Sequence, residues 1–351
     1  MFTGFRNRLN SLEPAYRRKL IALLILSALL TIATSALRSK ERAVRPPKVA
    51  EKVTLGGTDV SRWEAGQLGD LLARWADATA REPKNAYLDP STKGVIHELN
   101  GVRLDTEGTL KAVFSAPSGS TLLPVFEQVR PSRTLADFPL APIYQGHPDR
   151  KRITLIINVS WGEEFIPEML EILKEGGASA TFFLTGRWVM KNPDVARKIV
   201  AAGHEAASHG HSDAHLQNAP EKKILEEIEQ SAQAIEAATG RQIKWFSAPY
   251  GELSERILRV AAEKGLRVVM WTADTVDWKR PGVEWMVDRI MSRASNGSLV
   301  LMHPTEQTPQ ALRGIVKGLK EKGYRLVTLS EMLSPVWNPG EQPFPSTFPD
   351  K

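Results

Sequence analysis

The sequence contains no cysteine among its 351 residues. This absence excludes a disulfide framework and thiolate chemistry, so any metal site must be built from histidine, aspartate or glutamate. The basic residues also form no stripe interleaved with aromatic residues, which argues against a nucleic-acid partner. The net charge of +6 instead suits an anionic neighbour such as a membrane surface or a cell wall.

Charged residues are also absent from one stretch near the N-terminus. The eighteen residues at 20–37 carry no charge and are just long enough to cross a bilayer as a helix. Arg17, Arg18 and Lys19 precede this stretch, as positive-inside topology requires. We interpret residues 1–19 as a cytoplasmic basic segment and the apolar stretch as a transmembrane anchor, with the body of the chain outside the cytoplasm. The alternative is a cleaved signal sequence and a secreted protein.

Proline content and short periodic segments divide the rest of the chain. The stretch SRWEAGQLGDLLARWADATA has apolar residues at helical spacing, and NAYLDPSTKGVIHELNGVRLD reads as short strands joined by a turn. Both belong to a predicted small α+β domain. The predicted divisions are a linker at 38–50, the small domain at 51–127, a proline-rich connector at 128–150, a main domain at 151–334 and a proline-rich disordered tail at 335–351.

From residue 152 the pattern changes to alternating strands and helices. Seven such β/α units with parallel strands predict an α/β fold, either a distorted barrel or an open doubly wound sheet. In both folds, ligands bind at the carboxyl ends of the strands. The predicted strands are Ile153–Val159, Ala180–Leu184, Glu205–Ser208, Lys244–Ser247, Arg267–Thr272, Ser298–Met302 and Arg325–Thr328.

Reactive side chains collect after the ends of these predicted strands. Five of the seven histidines lie in residues 151–334, and four of those are in loops that follow strands. His209, Asp213 and His215 have a spacing typical of metal sites, and zinc needs three such protein ligands plus water. Ordinary polar loop chemistry explains this spacing equally well, and a buried structural role is the alternative for His303.

Six stretches of the main domain carry a family resemblance. They are ATFFLTGRW, NPDVARKIVAAGHEAASHGH, APYGE, WTADTVDW, GSLVLMHPT and KGYRLVTLSEML. In order and spacing, residues 152–333 resemble the polysaccharide deacetylases with the NodB homology domain, in particular a divergent sporulation-associated branch. The resemblance implies a seven-unit distorted β/α barrel and metal-assisted removal of N-acetyl groups from peptidoglycan or chitin-like glycans. In that chemistry a carboxylate base takes a proton from metal-bound water, and a histidine acid protonates the leaving amine.

The first two motifs of this family are altered in the residues that carry the chemistry. The first family motif ends in two adjacent aspartates, the base and a metal ligand, and we assign their positions to Asn158 and Val159. The second family motif has two metal-binding histidines four residues apart. These correspond to His209 and Asp213, with His215 two residues beyond.

The third motif of the family begins with an arginine that holds the base carboxylate, and Ser247 stands in its place. The base and its arginine are therefore lost together, which avoids a buried charge without a partner. Because an asparagine amide does not accept a proton from water at neutral pH, the ordinary mechanism does not run unchanged. The residues that match the third, fourth and fifth motifs are Pro249, Tyr250, Gly251, Asp277, Trp278 and His303.

Two glutamates that follow the first predicted strand bear on the lost base. In one interpretation Glu163 or Glu164 replaces either the base or the missing ligand. In another, both merely begin the next helix, where the helix dipole favours negative charge. In a third, catalysis is lost and a glycan-binding cleft remains, lined by Trp161, Tyr250 and Trp278.

These features predict a monomeric, membrane-anchored, extracytoplasmic protein of a sporulating bacterium that deacetylates a cell-wall glycan. The family resemblance implies one divalent metal, zinc. The alternatives are a catalytically inactive glycan-binding pseudoenzyme and a structural partner protein of the envelope. The segment LDPSTKGVIHELNGVRLD resembles small peptidoglycan-binding domains, and a spacer is the alternative. The assigned site comprises catalytic His303, Asp277, Glu164 as replacement base and Asn158 as the position of the lost base; substrate-binding Trp161, Pro249, Tyr250, Gly251 and Trp278; and metal-binding His209, Asp213 and His215.

Overall fold

The computed structural model covers most of the chain. It describes residues 48–337 together with Lys19, Leu23, Ser27 and Thr31. The predicted anchor at 20–37 and the predicted tail at 335–351 therefore lie largely outside the described residues. Within the part that is described, no helix combines the length and apolar character needed to cross a bilayer.

The described residues form two compact units, the first made of residues 48–73 and 106–124 and the second of residues 74–105 and 125–337. The strands are β1 Thr54–Leu55, β2 Thr58–Asp59, β3 Tyr87–Leu88, β4 Val95–Ile96, β5 Gly101–Leu104, β6 Thr121–Leu122, β7 Phe126–Val129, β8 Arg152–Val159, β9 Ala180–Leu184, β10 Glu205–Ser208, β11 Trp245–Phe246, β12 Arg267–Val268, β13 Ala273–Asp274, β14 Leu299–Met302 and β15 Arg325–Leu326. The helices are α1 Ala65–Thr79, α2 Thr106–Ser115, α3 Ile166–Glu175, α4 Gly186–Lys191, α5 Pro193–Ala201, α6 Glu221–Thr239, α7 Glu255–Glu263, α8 Val283–Arg293, α9 Thr308–Glu321 and α10 Leu329–Met332.

The first unit contains a three-stranded sheet. Strand β1 pairs with β2 in antiparallel fashion and with β6 in parallel fashion. The turn between β1 and β2 is formed by Gly56 and Gly57, whose φ angles of 56° and 90° favour glycine. Val53, Leu55 and Val60 are fully buried, so this short sheet has an apolar core of its own.

The second unit contains a curled sheet of eight strands. Its order is β12-β11-β10-β9-β8-β14-β13, with β15 also paired to β8, and every pairing is parallel. The predicted α/β class is therefore confirmed. The predicted distorted barrel of seven units is realised as a half-barrel. Its two end strands are β12 and β13, although these two strands follow each other in the chain.

Strand β8 has one face toward the flanking helices and the other toward the inside of the half-barrel. All eight of its residues are buried. Ile153, Leu155, Ile157 and Val159 pack in the larger apolar cluster with residues of the flanking helices, whereas Ile156 packs in a separate cluster on the inner side. Because side chains alternate along a strand, the even-numbered residues of β8 point inward.

The segment before β8 belongs to the wall of the half-barrel. The predicted connector at 128–150 forms a parallel bridge from Ile143 to Val269 and an antiparallel bridge from Gln145 to Ser298. It thus pairs beside β12, at one end of the strand order, and beside β14, the last strand but one at the other end. The sequence predicts only an extended segment here, because isolated bridges leave no periodic pattern.

The C-terminal end of the second unit is held by a buried arginine. The Arg150 guanidinium donates to the carbonyls of Ser334 and Val336 at 2.7 and 2.8 Å, and it lies 4.3 Å from the ring centroid of Trp337. The Trp337 indole donates to the Asn100 carbonyl at 2.8 Å. The structure therefore differs from the predicted boundaries at 127 and 334, since residues 74–105 and 335–337 pack within this unit.

Three buried histidines of the second unit lie outside the loops that follow the strands of the curled sheet. Burial lowers the pKa of His147 and of His204 to about 4, and it places that of His97 well below its usual range. The folded chain thus keeps them neutral at pH values where the unfolded chain binds protons. Their contribution to stability is therefore full above the unfolded pKa of about 6.5 and falls as the pH drops below it.

We expect these three histidines together to lower the free energy of unfolding by about 4 kcal/mol between pH 7.5 and pH 5.5, at about 1.3 kcal/mol each. Urea unfolding at the two pH values measures the difference. Among the described residues His97 has no hydrogen-bond partner on either ring nitrogen, so a His97→Phe variant should keep its stability at pH 7.5 and lose about 1.3 kcal/mol of the pH dependence. Equal pH dependence in the variant and the native chain would contradict this account.

Candidate functional site

A cleft of about 520 Å³ lies at the carboxyl ends of the strands in the second unit. It combines aromatic walls with a few polar and ionisable groups, as ligand sites usually do. The residues that line it are Asn158, Ser160, Trp161, His209, Asp213, Tyr250, Gly251, Trp271, Asp274, Trp278, Leu301 and His303.

The end of β8 supplies three of these lining residues. Asn158 and Ser160 share the inner face of the strand, whereas Val159 lies between them with its side chain in the helix-side core. The assignment of Val159 to a metal-ligand position is therefore wrong, because a side chain there points away from the cleft. The adjacent pair that does reach the cleft is Ser160 and Trp161.

Gly162 explains how two consecutive residues both reach the cleft. Its φ angle is 80°, and a Cβ atom at this position would lie 2.1 Å from the Pro304 carbonyl oxygen. Only glycine fits this turn, which ends the strand alternation and directs Trp161 into the cleft. The Trp161 indole lies parallel to the His303 imidazole, with 6.4 Å between the ring centroids.

Glu163 and Glu164 lie outside the cleft. Both side chains are exposed, and Glu163 accepts a hydrogen bond from the Trp188 indole at 3.3 Å. They stand just before α3, where the helix dipole favours negative charge. The predicted role of Glu164 as replacement base thus has no support from its position, and the helix-start interpretation accounts for both residues.

His209 is held as a neutral imidazole. Its Nδ1 atom is 2.8 Å from the Ser247 carbonyl oxygen, so Nδ1 carries the proton and Nε2 keeps a lone pair. Burial lowers the pKa of His209 to about 4, although the bond to Ser247 opposes this shift. A neutral imidazole oriented by a carbonyl is the form in which histidine binds metals.

The other two predicted metal ligands, Asp213 and His215, lie in different places. Asp213 lines the cleft, and its carbonyl accepts a hydrogen bond from the Tyr250 hydroxyl at 3.2 Å. His215 instead contacts Glu252 through Nδ1 at 2.7 Å and stacks on the Tyr250 ring with 4.0 Å between centroids. His215 is therefore committed to the outer side of Tyr250 rather than to a metal site with His209.

The residues present fall short of a zinc site. Zinc needs three histidine, cysteine, aspartate or glutamate ligands, and the cleft offers His209 and Asp213 from the predicted set. No group of three histidine, aspartate or glutamate side chains suited to a metal occurs among the described residues. The Ser160 hydroxyl and the Trp161 indole, which occupy the adjacent pair of cleft positions, do not belong to zinc's usual ligands.

The two residues predicted to act as the acid, His303 and Asp277, lie in contact. Asp277 is fully buried and accepts from the backbone N–H of His303 at 2.5 Å and from Thr308 Oγ1 at 3.3 Å. Its other oxygen lies 2.8 Å from His303 Nδ1, which orients the imidazole toward the cleft. Asp274 lies in the same cleft, and burial raises its pKa, with the negative charge of Asp277 adding to the shift.

Three exposed aromatic residues form the walls of the cleft. Trp161, Tyr250 and Trp278 keep 46%, 61% and 57% of their surfaces exposed. All three are predicted substrate-binding residues, as is Gly251, which also lines the cleft. Pro249 is buried in the adjoining 3₁₀ turn.

Four residues that line the cleft are not among the predicted site residues: Ser160, Trp271, Asp274 and Leu301. Trp271 falls inside the predicted strand at 267–272, but a Cβ atom at Gly251 would lie 2.6 Å from its ring, which shows how closely the two segments meet. Ser160 and Asp274 share the strand-end position of the predicted residues, and Leu301 lies in the matched fifth motif. Because side chains alternate along a strand, an inward-pointing Asn158 implies that Ser160, two residues later, also points inward.

Comparisons with known proteins agree with this arrangement. The sequence pattern of the family "Polysaccharide deacetylase" matches residues 145–269. The uncharacterized protein YlxY of Bacillus subtilis is 35% identical over 252 residues, which cover 72% of this chain and 79% of YlxY. A peptidoglycan-N-acetylglucosamine deacetylase of Bacillus cereus is 30% identical over 194 residues, which cover 54% of this chain and 70% of that protein.

A solved structure extends the similarity to the fold. A CE4 family pseudoenzyme from Bacillus anthracis superimposes with a TM-score of 0.67 at 35% identity, covering 76% of this chain and 95% of that chain. A mutant of the same protein, described as a pseudoenzyme with restored enzymatic activity, gives the same TM-score at 34% identity, with coverages of 76% and 98%. The chain has a NodB-type half-barrel, and its similarity to these relatives covers most of their length. The chain therefore belongs to the polysaccharide deacetylase family.

Proposed function

We propose that the half-barrel binds an N-acetylated cell-wall glycan in its cleft without hydrolysing it, as a pseudoenzyme of its family. The observation that carries this proposal is the side-chain pair at the end of β8. Ser160 and Trp161 place a hydroxyl and an indole at the adjacent cleft positions, whereas the family keeps two adjacent carboxylates in its first motif.

Three deficits support the loss of hydrolysis. The Ser160 hydroxyl and the Asn158 amide are not basic enough to take a proton from water at neutral pH. Ser247 is buried where the family has the arginine that holds the base. His209 and Asp213 leave a zinc ion one protein ligand short. The similarity to a CE4 family pseudoenzyme of Bacillus anthracis supports the same conclusion.

The remaining groups suit sugar binding. Aromatic faces pack against the apolar C–H faces of pyranose rings, and Trp161, Tyr250 and Trp278 present such faces to the cleft. Asp213, Asp274 and Ser160 supply hydrogen-bond acceptors or donors for hydroxyl and acetamido groups. The curated relatives named as peptidoglycan-N-acetylglucosamine and chitooligosaccharide deacetylases support an N-acetylglucosamine-containing glycan as the ligand.

One observation favours a second candidate, a deacetylase with a non-standard site. The hydrogen-bonded pair of His303 and Asp277 is intact, and in the family's chemistry it serves as the acid. Such an enzyme still needs a base and a metal. His303→Ala should abolish acetate release in that case, whereas a pseudoenzyme releases no acetate before or after the change.

We expect Trp278→Ala to weaken binding of a β-1,4-linked N-acetylglucosamine tetramer about tenfold, because it removes one aromatic wall. Isothermal titration of the full-length protein in EDTA measures the dissociation constant. Trp285→Ala is the matched control, since Trp285 is 46% exposed but does not line the cleft, and it should leave the constant unchanged. Equal losses in the two variants would contradict the assignment of the cleft.

The setting of the chain in the envelope is part of the proposal. The charge-free residues 20–37 after a basic segment support a membrane anchor with an extracytoplasmic body, and the net charge of +6 suits an anionic wall. A sporulation-associated role and wall binding by residues 51–127 rest on sequence resemblance. Protease treatment of intact protoplasts should digest the half-barrel if the body is extracytoplasmic and spare it if it is cytoplasmic.

A further inference from the structure

The loop at 209–217, between β10 and α6, has no regular secondary structure, yet two carboxylates take up its backbone donors. Glu227 accepts from the backbone N–H groups of His211 and Ser212, both at 2.7 Å. Glu252 accepts from those of Leu216 and Gln217, the latter at 2.8 Å. The loop is therefore held at two points by side chains from two different segments.

Glu227 acts from inside the fold. It lies on α6 with 1% of its side chain exposed, and it also bonds Ser212 Oγ and Lys223 Nζ, the latter at 2.7 Å. Burial opposes its charge, but Lys223 and the donors of the loop outweigh burial and lower its pKa to about 2. A carboxylate satisfied by this many donors is a rigid anchor.

Glu252 acts from the opposite side of the loop. It follows the cleft residue Gly251, its side chain is 15% exposed, and it also contacts His215 Nδ1 at 2.7 Å. His215 in turn stacks on Tyr250, whose hydroxyl donates to the Asp213 carbonyl. One carboxylate thus supports both the loop and the aromatic wall beside it.

Asp213 lies between the two anchored points and is strained. Its φ angle is 57°, in the left-handed region that costs a non-glycine residue about 1 kcal/mol or more. Such a conformation persists only when its surroundings impose it. Here the anchors on either side keep Asp213 at the lining of the cleft.

We propose that Glu227 and Glu252 are positioning residues that hold the Asp213 carboxylate in the cleft as a hydrogen-bond acceptor for sugar hydroxyls. This inference rests on the proposed glycan binding, because it assigns the Asp213 carboxylate to hydrogen bonding with the sugar. It also gives Asp213 a role that needs no metal.

The test is a double-mutant cycle on tetramer binding, measured by titration of the full-length protein in EDTA. We expect Asp213→Asn to raise the dissociation constant about tenfold, and Glu227→Gln and Glu252→Gln to raise it about fivefold each. In the Asp213→Asn background, Glu227→Gln should add less than about twofold, because its effect acts through Asp213. Glu252→Gln should add less than about fivefold there, because only the part of its effect that acts through Tyr250 remains.

Glu205→Gln is the matched control. Glu205 lies at the other end of β10 and accepts from the Trp245 indole at 2.8 Å and from the Ser330 backbone N–H at 2.9 Å. It should lower thermal stability while leaving the dissociation constant unchanged. If Glu227→Gln does not fold, Ser212→Ala removes a single donor to Glu227 and should raise the constant about twofold.

The outcomes separate the inference from the function on which it rests. A native chain that does not bind the tetramer overturns the proposed function. Unchanged binding in Glu227→Gln and Glu252→Gln, or effects that multiply fully with that of Asp213→Asn, overturn the inference and leave glycan binding in place. An unchanged constant in Ser212→Ala, where that variant is needed, overturns the inference as well.

Discussion

Replacing Trp161 with aspartate should enable the cleft to bind zinc tightly. Trp161 lines the cleft together with His209 and Asp213, so a carboxylate there supplies the third protein ligand that zinc needs. His209 is already neutral and oriented by the Ser247 carbonyl, which favours binding. We expect a zinc dissociation constant of about 1 μM or tighter in the variant, and at least about 100-fold weaker binding in the native chain.

Titration calorimetry and zinc analysis after dialysis measure this gain. Trp161→Asn is the matched control, because it removes the indole without adding a carboxylate, and it should stay metal-free. Adding His209→Ala to Trp161→Asp should abolish the gain, since the ligand set then falls to two. Zinc bound equally well by the native chain would show that our count of ligands is wrong.

Replacing Asp277 with alanine should lower the free energy of unfolding by about 3 kcal/mol, because it leaves buried donors unpaired. The donors concerned are the backbone N–H and imidazole of His303 and the Thr308 hydroxyl. Urea unfolding at pH 7.5 measures the loss. Asp277 thus contributes to stability whether or not His303 takes part in a reaction.

Asp288→Ala is the control for that change. Asp288 lies exposed on α8, so its removal should alter the free energy of unfolding by about 0.5 kcal/mol or less. A small loss in Asp277→Ala, similar to that of the control, would mean that the His303 pair is not part of the fold's framework.

Much of the fold could be predicted from apolar periodicity. Strand β9 matches its predicted range at Ala180–Leu184, and β10 matches at Glu205–Ser208, because both are short buried runs between clear helices. The division between the two units was not predictable in the same way. Strand β5 pairs with β7, which follows it by more than twenty residues. No pattern in either strand indicates which other strand it pairs with.

The sequence predicts which loops form the cleft, but it does not predict every residue that lines it. His209, Asp213, Tyr250 and His303 come together because parallel strands end at one edge of the sheet. The assignment at Asn158 and Val159 failed for Val159 because the turn at Gly162, and not the end of the apolar run, decides which neighbours share the cleft. His215 follows Asp213 by two residues, and only the tertiary contact with Glu252 shows that it faces elsewhere.

The central claim is that the cleft binds an N-acetylated glycan without a metal and without hydrolysis. The most direct measurement combines tetramer binding and acetate release in one sample of full-length native protein, first in EDTA and then with added zinc. We predict binding of equal affinity in both conditions and no acetate in either. Acetate release that depends on zinc and disappears in His209→Ala would contradict the claim.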